Sequence, residues 1–220
     1  MSNSLMKKNT EPFSGGVKPD ISLRQYKKKN PLLTKTKPME KIYKTVASSH
    51  VSISQLMLPS HTNFSGKIHG GFVLSLLDQI AFACASKFSG NYCVTASVDT
   101  VDFLKPIEVG ELVTMKASVN YVGRSSMIVG IRVEAENIQT GNKKHCNSSY
   151  FTMVAKDNEG NSVPVPGLIL SNFEDVKRFC NSLKQIALKK ERELHEEEFN
   201  YTSKETLEKI KKYNIQINLD

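Results

Sequence analysis

Apolar and polar positions change rhythm several times along this 220-residue chain. Up to residue 46 no period is visible. Pro12, Gly15, Gly16, Pro19, Pro31 and Pro38 are scattered among lysines, which predicts an arm without regular structure. Residues 51–58 then alternate, with Val51, Ile53, Leu56 and Leu58 apolar, and predict a first strand. Residues 59–66 are rich in turn formers and read as a loop. From about Gly71 to Phe88 the chain is apolar on almost every side. That is the pattern of a core helix, stopped by Ser89-Gly90-Asn91. A period of two returns over residues 93–103, 111–121, 127–137 and 143–157. Lys105-Pro106, Gly123-Arg124-Ser125-Ser126 and Gln139-Thr140-Gly141-Asn142 separate these four strands.

Short connections of this kind produce an antiparallel sheet. About five strands with one long apolar helix make an α+β layer architecture. To bury the helix around its full circumference, the sheet would have to curl around it. Val163-Pro164-Val165-Pro166-Gly167 breaks the strand pattern. Beyond it, residues 173–198 predict a charged helix with Phe173, Val176, Phe179, Cys180, Leu183, Ile186, Ala187 and Leu194 on one side. That stripe would either pack on the domain or meet a partner. A short helix over 203–213, anchored by Leu207 and Ile210, follows. The expected division is an arm (1–46), one domain (47–167) and a helical extension (168–220).

Composition sharpens this division. The hydrophobic share is 39 %, low enough that part of the chain lies outside a core. Ten Lys and one Arg against Glu11, Asp20 and Glu40 place the whole net charge of +8 in residues 1–44. Contact of this basic arm with an anionic membrane surface is one expectation. Nucleic acid is not expected, because few aromatic residues interleave with the lysines and no recognition motif is present. Cys84, Cys93, Cys146 and Cys180 form no CxxC and no zinc-site spacing, which fits a reducing compartment. A cytoplasmic location is expected; the alternative is an organelle matrix, with the arm as a transit segment. No apolar run reads as transmembrane.

Within the apolar helix one residue departs from the pattern. Asp78 is a carboxylate among Leu76, Leu77, Ile80 and Ala81. Buried, it would cost several kcal/mol unless paired, which makes it the first candidate for chemistry. The plainer placement is a single exposed edge near Ser75 and Gln79.

Several motifs then carry a resemblance. Thr62-Asn63-Phe64-Ser65-Gly66-Lys67-Ile68-His69-Gly70-Gly71 and Leu77-Asp78 come first. Val94-Thr95-Ala96-Ser97-Val98-Asp99, Phe103-Leu104-Lys105-Pro106 and Gly123-Arg124-Ser125-Ser126 follow, then Phe151-Thr152-Met153-Val154-Ala155 and the Val163–Pro166 run. Over about residues 50–167 the chain resembles the hotdog-fold acyl-CoA thioesterases. It looks closest to bacterial relatives of the brain-type cytosolic long-chain acyl-CoA hydrolase. The resemblance implies a sheet wrapped around one central helix, and hydrolysis of acyl-CoA to free acid and CoA. It implies a homodimer, assembled further as a trimer of dimers. No cofactor is expected, coenzyme A being part of the substrate.

The same resemblance places the functional acid at Asp78 and the functional amide at Asn63, with His69, Gly70 and Gly71 at the helix entry. Thioester hydrolysis needs an activated water or a nucleophile, and donors for the oxyanion. Asp78 would serve as general base or nucleophile, and the N–H groups of Gly70 and Gly71 as donors. Gly71 and Asp78, seven residues apart on a helix, are separated by about 10 Å. One carbonyl carbon cannot easily lie near both, so the site is expected to combine Asp78 of one chain with Asn63 and the glycines of another. His69 would position the glycine turn; the alternative is acid–base chemistry with Asp78 in a hotdog dehydratase. A further alternative is a non-catalytic acyl-CoA-binding module. Arg124, Ser125 and Ser126 are candidates for a CoA phosphate, with Lys105, Lys143 and Lys144 unranked beside them.

Overall fold

The computed structural model describes residues 42–197 and 200–219. The basic arm up to residue 41 lies outside them. In chain order the elements are β1 (Tyr43–Thr45), β2 (Val51–Leu56), α1 (Gly70–Ser89), β3 (Tyr92–Phe103), β4 (Glu111–Val122), β5 (Ser126–Asn137), β6 (Lys143–Lys156), β7 (Gly167–Ile169), α2 (Phe173–Glu197) and α3 (Lys204–Ile210). Five strands form one antiparallel sheet in the order β2-β4-β5-β6-β3. This is the expected α+β arrangement, with one long helix on a sheet of five strands.

Alternation decides which face of the sheet is apolar. Val113, Met115, Val119, Met127, Val129, Val133, Phe151 and Met153 are all buried toward the helix. The helix answers with Val73, Leu77, Ile80, Ala81, Cys84, Ala85 and Phe88, a stripe at three- and four-residue spacing. By length and hydropathy (mean 1.3) α1 could cross a bilayer, which the absence of an obvious transmembrane run did not anticipate. Here its stripe is packed in the protein core. Gly90, at φ 77°, takes the left-handed turn that ends it, and its N–H donates to Ser86 O (2.8 Å).

Two expectations need correcting. The helix is not enclosed all round: Leu74, Ser75, Asp78, Gln79 and Phe82 lie on an exposed side. Five strands cover only part of a helix's circumference, so the plainer placement of Asp78 is the one found within a single chain. Tyr43–Thr45, inside the segment read as arm, is a strand paired in parallel with β7. A Cβ on Gly167 would fall 2.4 Å from the Tyr43 ring, so this pairing needs glycine there. The turn after β1 is then anchored in the core. Ser49 Oγ accepts the Val119 N–H (2.9 Å), and the Cys84 thiol donates to Ser49 O (3.2 Å).

The outer face of the sheet is polar, and α2 lies across it. Arg178 donates to Ser118 Oγ on β4 (3.3 Å), and Lys189 to Ser97 Oγ on β3 (3.1 Å). Asp175 and Ser182 are buried beneath the helix. The stripe of Val176, Cys180, Leu183, Ala187 and Leu194 faces away from the sheet and is exposed. The predicted stripe is therefore split: Phe179 and Ile186 are half-buried, Phe179 with its ring centroid 5.5 Å from that of Tyr121 on β4, and the other residues are left outward.

Leu77→Ala removes a fully buried side chain and should cost about 2–5 kcal/mol, read from urea unfolding. On the outer face Lys116 and Arg132 hydrogen-bond Glu134 and hold its carboxyl down to about 2. A depressed carboxylate adds stability above its unfolded value, and that stability drains as pH falls toward the folded one. Unfolding free energy should therefore drop between about pH 5 and pH 2, and less steeply in Glu134→Gln.

Candidate active site

The loop from Met57 to His69 and the first turn of α1 form one polar unit. His61 fixes the loop: its ring stacks on Phe72 with centroids 3.9 Å apart, its Nδ1 accepts the Leu58 N–H, and its carbonyl accepts the His69 N–H. Asn63 closes a tight turn. Its Oδ1 accepts from Ser65 N (3.0 Å), Ser65 Oγ (2.7 Å) and Lys67 N (3.2 Å). With the oxygen filled, the Nδ2 group is the part of this side chain left to donate.

His69 is the N-cap of α1. Its Nδ1 accepts the Gly71 N–H at 2.9 Å, so in the neutral ring Nε2 carries the proton. A Cβ on Gly71 would sit 2.8 Å from the His69 ring, so glycine makes room for the cap. This corrects the role assigned to Gly71: its N–H is taken by the histidine and is not free for an oxyanion. The neighbouring Gly70 N–H, at the positive end of the helix, has no acceptor among the described residues. The Phe103 ring lies against Gly70, with 3.5 Å between it and a Cβ placed there. The capping bond also makes His69 the residue that holds the glycine turn.

Asp78 is two turns further along, on the exposed side. Thr95 Oγ1 donates to Asp78 Oδ1 at 2.6 Å. Thr95 lies within a motif quoted above but carried no role there. Its partner is set by how β3 crosses α1, which a strand's alternation does not report. Cys84, on the same helix, points into the core, where burial pushes its thiol up to about 12, unsuited to nucleophilic work.

The exposed surface around Asp78 is mixed, with Ser75 and Gln79 polar beside it. Leu74 and Phe82 flank it on the helix, and Val98 and Phe103 are exposed on β3. A carboxylate held by one hydroxyl amid exposed large apolar side chains marks a surface built to be covered. The 740 Å³ groove of the chain lies elsewhere, between the outer sheet face and α2, lined by Lys116, Asn120, Tyr150 and Lys177 among others. None of the predicted site residues lines it.

The remaining candidates divide. Arg124 is exposed in the β4–β5 turn, tied through its backbone to Val165 (3.0 Å). Register places this turn toward the Asp78 end of the sheet, since Thr95 pairs with Met153 and Met153 with Met127. Lys144 is occupied by Glu111 (2.9 Å) and Lys143 by Glu136 (3.1 Å). Among the described residues, no group of three or more His, Cys, Asp or Glu side chains gathers as for a metal ion.

A family profile described as the thioesterase superfamily matches residues 65–142, which span the entry to α1, its whole length and the strands through β5. Protein VdlD of Helicobacter pylori is 41 % identical over 141 residues, covering 64 % of this chain and 80 % of VdlD. The chain belongs to the thioesterase superfamily. The structure of an acyl-CoA hydrolase from Staphylococcus aureus, in complex with butyryl-CoA, CoA and CoA disulfide, is 30 % identical. Its TM-score is 0.66, with 71 % of this chain and 95 % of that one covered. An apo-hexameric acyl-CoA thioesterase is 34 % identical with a TM-score of 0.67, covering 69 % and 97 %. The S. aureus enzyme has also been solved with alanine in place of an asparagine, an aspartate 15 positions later and a threonine 17 beyond that. Asn63, Asp78 and Thr95 have the same spacing.

His69→Ala should lose the cap and about 1 kcal/mol of stability. His69→Asn should restore most of it, because asparagine also caps. Thermal or urea unfolding of the two variants checks this.

Proposed function

We propose that the chain hydrolyses acyl-CoA thioesters to the free acid and CoA, with Asp78 as the reacting carboxylate. The reading rests most heavily on the Thr95–Asp78 hydrogen bond. It immobilises one carboxylate oxygen on a partly apolar surface and leaves the other to act. That oxygen takes a proton from a water attacking the thioester carbon, or attacks the carbon itself to give an anhydride that water then opens. In either route the C–S bond breaks and CoA leaves as a thiolate, which takes up a proton. Charge builds on the carbonyl oxygen, and the free donors suited to it are Gly70 N–H and Asn63 Nδ2.

These donors and Asp78 belong to different chains in this proposal. Gly70 and Asp78 are separated by about 12 Å along α1. Two copies packed through the exposed face of the helix, with their α1 helices antiparallel, bring the start of one helix to the middle of the other. The apolar surface formed by Leu74, Phe82, Val98 and Phe103 supports that packing. The hexameric relative supports further assembly into a trimer of dimers. Arg124, with the hydroxyls of Ser125 and Ser126, would receive a CoA phosphate, and the basic arm would approach an anionic membrane.

Asp78→Asn should abolish CoA release in a thiol-capture assay with acyl-CoA. Thr95→Val, which keeps shape and removes the donor, should lower kcat roughly 10- to 100-fold with little change in KM. Equal mixing of Asp78→Ala and Asn63→Ala chains, after confirmed subunit exchange, should recover about a quarter of wild-type activity, since half the dimers hold one intact site. No recovery would show that one chain supplies both groups.

A further inference from the structure

The exposed stripe of α2 has a register of its own. Phe173, Val176, Cys180, Leu183, Ala187, Lys190 and Leu194 are spaced alternately by three and four residues, and every one is exposed. Phe173 is 93 % exposed, Leu183 44 % and Leu194 65 %. An average period of 3.5 over three heptads is the pattern of a two-stranded left-handed coiled coil, with these residues at the a and d positions. A helix lying singly on a sheet has no need of it. Here the sheet is met by an adjacent side of the helix, through Asp175, Arg178, Ser182 and Lys189 and through the Phe179 ring against Tyr121. The seam is thus complete, continuous and turned outward.

We propose that α2 pairs with α2 of a second copy of this chain, antiparallel, as a contact separate from the one that covers Asp78. Charge selects the direction. Lys177 and Lys184 flank the seam in its first half, and Glu191 in its second. In an antiparallel pair Lys177 faces the partner's Glu191, the same pairing recurs on the other side of the two-fold axis, and Lys184 meets the partner's Lys184 on the axis itself, so two contacts of opposite charge stand against one of like charge. This register layers Val176 on the partner's Leu194 and Leu183 on the partner's Ala187. Cys180 then meets the partner's Lys190, and the lysine at that seam position sets register at some cost in stability. A parallel pair would instead set Phe179 beside the partner's Lys184 and Ile186 beside the partner's Glu191, with no opposite charges matched. A lipid surface is the poorer occupant, because Lys190 interrupts the stripe and Glu191 borders it where headgroups would lie.

This proposal does not depend on the reaction assigned above, and its test reads mass and cross-links. Cys84, Cys93 and Cys146 are buried, so Cys180 is the exposed thiol. In the antiparallel register Cys180 and the partner's Cys180 are about 15 Å apart along the axis, too far to join. Wild-type protein treated with diamide should therefore run as a monomer on a non-reducing gel, and Lys190→Cys should run as a covalent dimer. Leu183→Glu with Leu194→Glu should reduce the mass by light scattering to that of a dimer while CoA release per chain persists. Lys177→Glu should weaken the same contact, and adding Glu191→Lys should restore it. A Cys180 cross-link in the wild type would overturn the antiparallel pairing. An unchanged mass together with no cross-link in Lys190→Cys would overturn the pairing altogether. Phosphatidylserine vesicles that sediment the wild type but not the double glutamate variant, with mass unaltered, would assign the stripe to a membrane instead.

Discussion

A 20-residue apolar helix carrying one carboxylate is the constraint around which this chain is organised. Five strands can take up only one side of such a helix, and they take the side from Val73 to Phe88 that contains no charge. The carboxylate is left on the opposite side, where desolvation within the chain is avoided. That side still carries Leu74 and Phe82, so exposure of Asp78 comes with exposure of apolar area. The two conflict in a single chain. Water suits the carboxylate but not the apolar side chains near it, and the proposed second copy, bringing hydrogen-bond donors and a substrate cleft, would satisfy both.

The N-terminal end of the helix shows a related division of work. Four N–H groups at a helix start have no partner within the helix. That of His69 goes to the His61 carbonyl, the His69 ring takes the one at Gly71, and the His69 carbonyl receives that of Phe72. What remains is the Gly70 N–H, a single donor at the positive end of the dipole, in a turn made rigid by its neighbours. Preorganisation of this kind is what oxyanion stabilisation requires, because no bond must be broken to present the donor. The two glycines serve different ends. One stays small to accommodate a histidine, and the other carries the open donor.

The five strands of the main sheet and both long helices were legible because alternation and helical spacing are strong in every one. Their ends agree with the sequence reading to within about two residues. Motifs were enough to name candidate site residues, but the geometry among them was not legible. Apolar residues surround Asp78 in sequence whether they face the same chain or another, so the pattern could not separate burial in a core from burial at a contact. Thr95 was invisible as a partner because its bond to Asp78 depends on the angle at which a strand crosses a helix. Tyr43–Thr45 was read as arm because three residues paired to a distant short strand leave no period to detect.

The orientation of α2 was the least legible feature, and the outer face of the sheet explains it. Lys116, Arg132, Glu134 and Asp99 make that face charged, so a mostly polar side of the helix packs there, with Phe179 against Tyr121 as an apolar exception. The rest of the apolar stripe then turns outward. The chain consequently presents two apolar surfaces on opposite sides of one sheet, the first on α1 and the second on α2. If each pairs with its own copy about a two-fold axis, the contacts alternate around an assembly. Two isologous contacts close into a ring of six when their axes are inclined at 60°, and run on into an open filament at angles that do not divide the circle. The tilt of α2 across the strands sets that inclination. Its polar anchors at Ser118 and Ser97 would then govern assembly size without touching either seam.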